Sequence, residues 1–181
     1  MNLISRVTLA ALASILTACG GGGGDNNGAS AGIGLPSCLS AEEIALVGQI
    51  NATRTGGGKA ALPVDTRLVQ TSRKNAEQYI ATGGNLATSF LFDRGYGETG
   101  FTGTSGSDFT SASEFWTAFL ADANANPTLP SGKIKTDLTS DTPTAPIHLG
   151  IGEVVQTNGK HTFSFILGDT AGAAVNGTCT P

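Results

Sequence analysis

Apolar residues recur along this chain in three helical stripes and one alternating pair of runs. Ser40-Ala41-Glu42-Glu43 sets a hydroxyl at a helix N-cap and an acid three residues on, so two orphan backbone N–H groups can be satisfied reciprocally. Behind it Ile44, Val47 and Ile50, with Leu46 beside them, repeat at helical spacing, and Arg54 with Gly56-Gly57-Gly58 predicts the end. Asp65 caps a second predicted helix. Leu68, Val69, Ser72, Ala76, Tyr79 and Ile80 line one side of it, and Gly83-Gly84 stop it. A second capping box, Ser111 to Glu114, opens a third helix carrying Phe115, Trp116, Phe119 and Leu120.

The intervening stretches carry weaker patterns. Residues 85–110 are rich in Gly, Ser, Thr and Phe and read as loop with short extended pieces. Residues 124–146 are polar and hold Pro127, Pro130, Pro143 and Pro146, which argues against long regular structure there. The clearest β signal comes last. Leu149–Val155 and His161–Leu167 flank Asn158-Gly159, the preferred pair for a two-residue type I′ turn. Such a turn pairs His161 with Gln156 and sets His148 opposite Asp169. There is no internal repeat. Helices, loop, helix and hairpin in that order argue an α+β fold, with helices packed on an antiparallel sheet.

The N-terminus has a different character. Arg6 is followed by an apolar stretch from Val7 to Leu16, the layout of a secretory signal. As a helix that stretch spans roughly 15–20 Å, against about 30 Å of hydrocarbon, too short to cross a bilayer. It ends Leu16-Thr17-Ala18-Cys19, which resembles a bacterial lipobox. The resemblance implies a leader over residues 1–18 cut before Cys19, and acyl chains on Cys19. One myristoyl chain binds membranes only marginally, and two or three on one cysteine make release negligible. Gly20 rather than Asp after the cysteine favours the outer membrane by the sorting pattern of such lipoproteins. Gly20 to Gly24 and the polar residues to Gly32 have nothing apolar to bury, so residues 19–37 read as a flexible tether and 38–181 as one domain.

Composition narrows the partners. Charged residues make up only 13% of the 181, the net charge is -4, and no Lys/Arg cluster exists, which excludes nucleic acid as an expected partner. With Cys19 acylated, Cys38 and Cys179 remain. In an oxidising compartment a disulfide between them is the natural reading, closing nearly the whole domain. Chain entropy sets the upper value of such a closure at roughly 5 kcal/mol.

Several motifs, in order, resemble the CAP superfamily, the SCP-like extracellular domain in its bacterial form, over roughly residues 40 to 170. Asn51-Ala52-Thr53-Arg54 is similar to the family's Asn-x-x-Arg at the end of the first helix. Leu62 through Leu68 and Ala76 resemble its short linker and small-residue helix. Gly97-Glu98, after Arg94-Gly95-Tyr96, stands where the family often has Gly-Glu-Asn. Trp116 sits in an aromatic helix, and Leu149-Gly150-Ile151-Gly152 opens a hairpin that ends Leu167-Gly168. The resemblance implies a three-layer α-β-α sandwich with a shallow cleft, and extracellular binding of lipids, proteins or ions, with enzymatic activity uncommon.

The departures from the family pattern are chemical. Its cleft carries two His and two acids; residues 83–89 hold no His, and Ala121-Asp122-Ala123-Asn124 stands in place of the second. Only Glu98 carries over, as a candidate cleft carboxylate, with Thr99 in place of the usual Asn. The metal-binding tetrad is thus expected to be dismantled, with no cofactor and no metal. His148 and His161 stand apart along the predicted hairpin and are not expected to share an ion. Gly103-Thr104-Ser105-Gly106-Ser107 looks like a nucleophile elbow but lacks the closing Gly. Gly95-x-Gly97-x-x-Gly100 matches a dinucleotide fingerprint by letter, without a helix after it. The expectation is a non-catalytic, membrane-anchored outer-membrane lipoprotein, its domain binding a lipid or protein partner. The alternatives are a hydrolase using Glu98 with a histidine, and a structural envelope protein.

Overall fold

In the computed structural model the described residues are 34–82, 101–139, 147–168, 174–175 and 179. Cys19 and Glu98, with the predicted leader, most of the tether, Gly83-Gly84 and the Gly95–Gly100 motif, lie outside them. The first capping box forms in full: Ser40 Oγ accepts the Glu43 N–H, and the Glu43 carboxylate accepts the Ser40 N–H. It opens α1 (Ala41–Gly56), closed by Gly57, whose N–H bonds the Thr53 and Arg54 carbonyls. The buried face of α1 is Glu43, Leu46, Val47, Ile50, Asn51 and Arg54. Ile44 lies one residue off that face and is exposed, so the predicted stripe is corrected there.

Asp65 caps α2 (Thr66–Thr82) as expected, its Oδ1 accepting the Arg67 N–H at 2.9 Å. Leu68, Val69, Ser72 and Ala76 are buried, whereas Ile80 in the last turn is exposed. Next comes β1 (Phe101–Phe109), where loop with short pieces was expected. Its Gly, Ser and Thr residues do not alternate with apolar ones, so no period marks it. A register shift between Gly106 and Phe109, with Asp108 at φ 67°, puts a bulge near its end. In α3 (Ala112–Ala125) Ser111 is the N-cap, but Glu114 bonds Thr110 rather than closing the box on Ser111.

A helix that the prolines argued against follows, α4 (Pro130–Thr139). Pro130 is its first residue, where the missing N–H is no loss and φ is already set. Ile134 and Leu138, four apart, bury one face.

The last two elements are β2 (His148–Val155) and β3 (His161–Gly168), in a three-stranded antiparallel sheet of order β1-β3-β2. The hairpin forms, but in another register. His161 faces Val155, not Gln156, and His148 faces Gly168, not Asp169. The cause is the turn. Gly159 N–H bonds the Gln156 carbonyl at 2.9 Å and Gln156 N–H bonds the Lys160 carbonyl at 2.7 Å, closing a three-residue loop. Only Gly159, at φ 77°, is left-handed, whereas a type I′ turn requires Asn158 there as well.

Both faces of the sheet are covered. Toward α1 and α3 point Ile151, Phe163, Phe165 and Leu167, which join Leu46, Val47, Ile50, Phe115, Trp116 and Phe119 in one core. Each fully buried side chain of this size contributes about 1.5–3 kcal/mol. Toward α2 point Gly150 and Gly152, where any Cβ would run into the backbone of Leu68, Ser72 and Arg73. The glycines let helix and strand backbones touch. The architecture is α+β, four helices and a three-stranded antiparallel sheet among the described residues.

Candidate functional site

The densest polar cluster lies where the N-terminal segment enters the domain. Glu43 is 1% exposed, and its carboxylate takes four donors. Arg73 gives two, Nε at 2.8 Å and a terminal nitrogen at 2.6 Å; Ser40 N–H gives one at 2.9 Å and Glu153 N–H one at 3.1 Å. A buried carboxylate needs such a full set to offset its lost hydration. The hydrogen bond to Glu43 also holds the Arg73 pKa above its ordinary value, against the opposing effect of burial. Arg73 further donates to the Cys38 carbonyl at 2.8 Å.

Glu153 forms the second half. One carboxylate oxygen accepts the Ser40 hydroxyl and the other meets His161 Nδ1. Glu153 and His161 are a diagonal pair on one face of the hairpin. The His161 ring stacks on Phe163, centroids 5.8 Å apart. Neither Glu43 nor Glu153 stood out in the sequence as a site residue. The capping box did mark Glu43; Glu153 needed the true register, because the one-residue slip implied by a two-residue turn puts it on the other face from His161.

What can this cluster do? Activating a serine requires the imidazole between hydroxyl and acid, so that it can take the proton. Here the carboxylate stands between Ser40 and His161, and the Ser40 hydroxyl is already engaged on both sides. The cluster fastens residues 38–40, α1, α2 and the hairpin to one another.

The other candidates disperse. His148 is buried at the start of β2, on the α2 side, and His161 begins β3 on the opposite face. Seven positions of strand separate them, roughly 23 Å. Both are strand-end residues as expected, but His148 is not on the surface. Among the described residues no three His, Cys, Asp or Glu side chains gather as a metal would need. Ser105 lies within β1 and not on the strand-to-helix turn that a nucleophile elbow requires. Cys38 and Cys179 are bonded to each other, with Cα atoms 5.6 Å apart.

The Asn-x-x-Arg segment is spent on backbone. Asn51 clamps Leu62 both ways, accepting its N–H at 2.8 Å and donating to its carbonyl at 3.1 Å. Arg54 donates to the Ala60 and Leu138 carbonyls, both at 2.6 Å, joining the α1–α2 loop to the end of α4. Trp116 is core, its indole N–H on Thr53 Oγ1 at 3.2 Å. Two shallow recesses flank α4, one of about 350 Å³ beside Asn124 and Lys135, the other of about 210 Å³ beside β1. Among the described residues no helix is long and apolar enough to cross a membrane.

No family model and no curated protein matches the chain. Among solved structures it is similar to an outer surface protein of Borrelia burgdorferi, with a TM-score of 0.57 and 14% identity, over 76% of this chain and 100% of that one. A likeness at that identity is one of fold.

Proposed function

We propose that this protein is an envelope lipoprotein, held in the outer membrane by acyl chains on Cys19, whose domain binds a lipid or protein partner without catalysis. The observation that carries the reading is the Cys38–Cys179 disulfide. Disulfides persist in oxidising compartments. This one takes two of the three cysteines and leaves Cys19, the one that ends Leu16-Thr17-Ala18-Cys19. The Borrelia neighbour is an outer surface protein by description, which agrees in kind.

The non-catalytic part rests on how the polar residues are used. Ser40, Glu43, Arg73, Glu153 and His161 bind one another, and Asn51 and Arg54 bind backbone. The CAP-like reading, a three-layer α-β-α sandwich, draws support from α2 on one sheet face and α1 with α3 on the other.

The test follows the anchor first. Cells fed an alkyne analogue of palmitate should label the wild-type chain and not Cys19→Ala, and the variant should leave the membrane fraction. Unlabelled wild type with an uncut N-terminus by intact mass would end the lipoprotein reading. Incubation with envelope lipid extracts, then mass spectrometry of what co-purifies, tests the partner: a retained lipid supports the binding role, and turnover of an added ester substrate by the purified chain would refute its non-catalytic character.

A further inference from the structure

The smaller recess lies between β1, α3 and the first turn of α4, and measures about 210 Å³. One side is aromatic, formed by Phe109, Phe115 and Phe119. Phe109 and Phe115 meet edge to face, centroids 5.3 Å apart. Phe109 follows the β1 bulge, where Asp108 adopts φ 67° and the ladder slips. Bulges of this kind re-aim a side chain and are frequent beside binding sites.

The other side is polar. Ser131 lines the recess, and its Oγ is buried with no hydrogen-bond partner. A buried hydroxyl left without a partner is costly, and rotation about χ1 lets it turn to meet a ligand. Asp122, exposed on α3, is the single charged residue of the lining; its Oδ1 accepts a hydrogen bond from Asn126 Nδ2 at 2.8 Å.

Each feature constrains the occupant. A cavity of about 150 Å³ holds a benzene ring, so this one has room for a ring and a short substituent. Phenyl walls suit a flat apolar body, and their faces attract cations. The Asp122 carboxylate repels anions. We propose that this recess binds a monocyclic aromatic amine, its ring against Phe109, Phe115 and Phe119 and its ammonium at Asp122, with Ser131 as a secondary hydrogen-bonding group. This goes beyond the envelope reading and stands whether or not the chain is anchored.

The chain has one tryptophan, Trp116, stacked on Phe119 with centroids 4.9 Å apart. Its emission therefore reports on the recess. The full chain in phosphatidylcholine nanodiscs is titrated with benzylamine, benzyl alcohol and benzoate, read by Trp116 emission and by saturation-transfer NMR. Benzylamine should saturate with a Kd on the order of 1 mM, benzyl alcohol about tenfold more weakly, and benzoate not at all. Ala118→Leu, at an exposed α3 position on the rim, should close the recess, weakening benzylamine about tenfold or more while leaving the circular dichroism unchanged. Asp122→Asn should bring benzylamine and benzyl alcohol to within about twofold of each other. Failure of benzylamine to saturate the wild type, equal binding by Ala118→Leu, or benzoate binding as tightly as benzylamine would each overturn the assignment.

Discussion

Against α2 the sheet presents Gly150, Gly152, Ser164 and Ile166; against α1 and α3 it presents Ile151, Phe163, Phe165 and Leu167. The aromatic side is held by area removed from water. Phe165 alone meets Phe115, Phe119 and Trp116, each edge to face. The α2 side is held by closeness. Its glycines admit the helix backbone, and it tolerates the buried Oγ of Ser72 and Ser164 and Oδ1 of Asn75 without partners. One sheet thus shows two ways of covering a face: large side chains interdigitating, or small ones yielding to backbone contact. The first is sensitive to truncation and the second to enlargement.

That contrast can be broken by mutation. Phe165→Ala should cost most, about 3–5 kcal/mol in denaturant unfolding of the disulfide-bonded domain. Gly152→Ala on the other face should cost about 1–3 kcal/mol by the same measurement, since its Cβ must displace the Ser72–Arg73 backbone. A neutral Gly152→Ala would show that α2 is free to shift and that closeness does not hold it.

A smaller, pH-dependent effect belongs to the start of α2. Burial tends to raise the Asp65 pKa, but its bonds from Arg67 and from the Val175 N–H prevail and lower it. A carboxylate depressed in the folded state contributes stability that is complete above its unfolded pKa, about 3.9, and is lost as pH falls through the lower folded value. Asp65→Asn should therefore flatten the acid limb of an unfolding profile while the wild type loses stability there. The smallest effect should come from Ser164→Ala, within about 0.5 kcal/mol of wild type by thermal unfolding, because its hydroxyl has no bond to lose. A larger loss would mean that an ordered water bonds it.

Local rules made much of this legible. The Ser40–Glu43 box, the Asp65 cap, the closing glycines of α1 and the existence of the hairpin all follow from contacts within a few residues. The Leu16–Cys19 motif can be read only as a string. What escaped depended on distant parts of the chain. The β1 strand has no hydrophobic period and is defined by pairing with β3. The α4 helix hides behind Pro130. Ile44 gives up the inward face to Glu43, whose charge is acceptable there only because Arg73 arrives 30 positions later. The Glu153–His161 pair turned on whether the hairpin loop had two residues or three.

The bond between Cys38 and Cys179 has a consequence for resistance to proteolysis. It spans 141 positions of sequence, so nearly every peptide bond of the domain lies inside one covalent ring. A protease that nicks an exposed loop once opens the ring without releasing either piece, because the severed halves stay joined through the two sulfurs. Separating the halves requires a second cut within the ring, or a reductant.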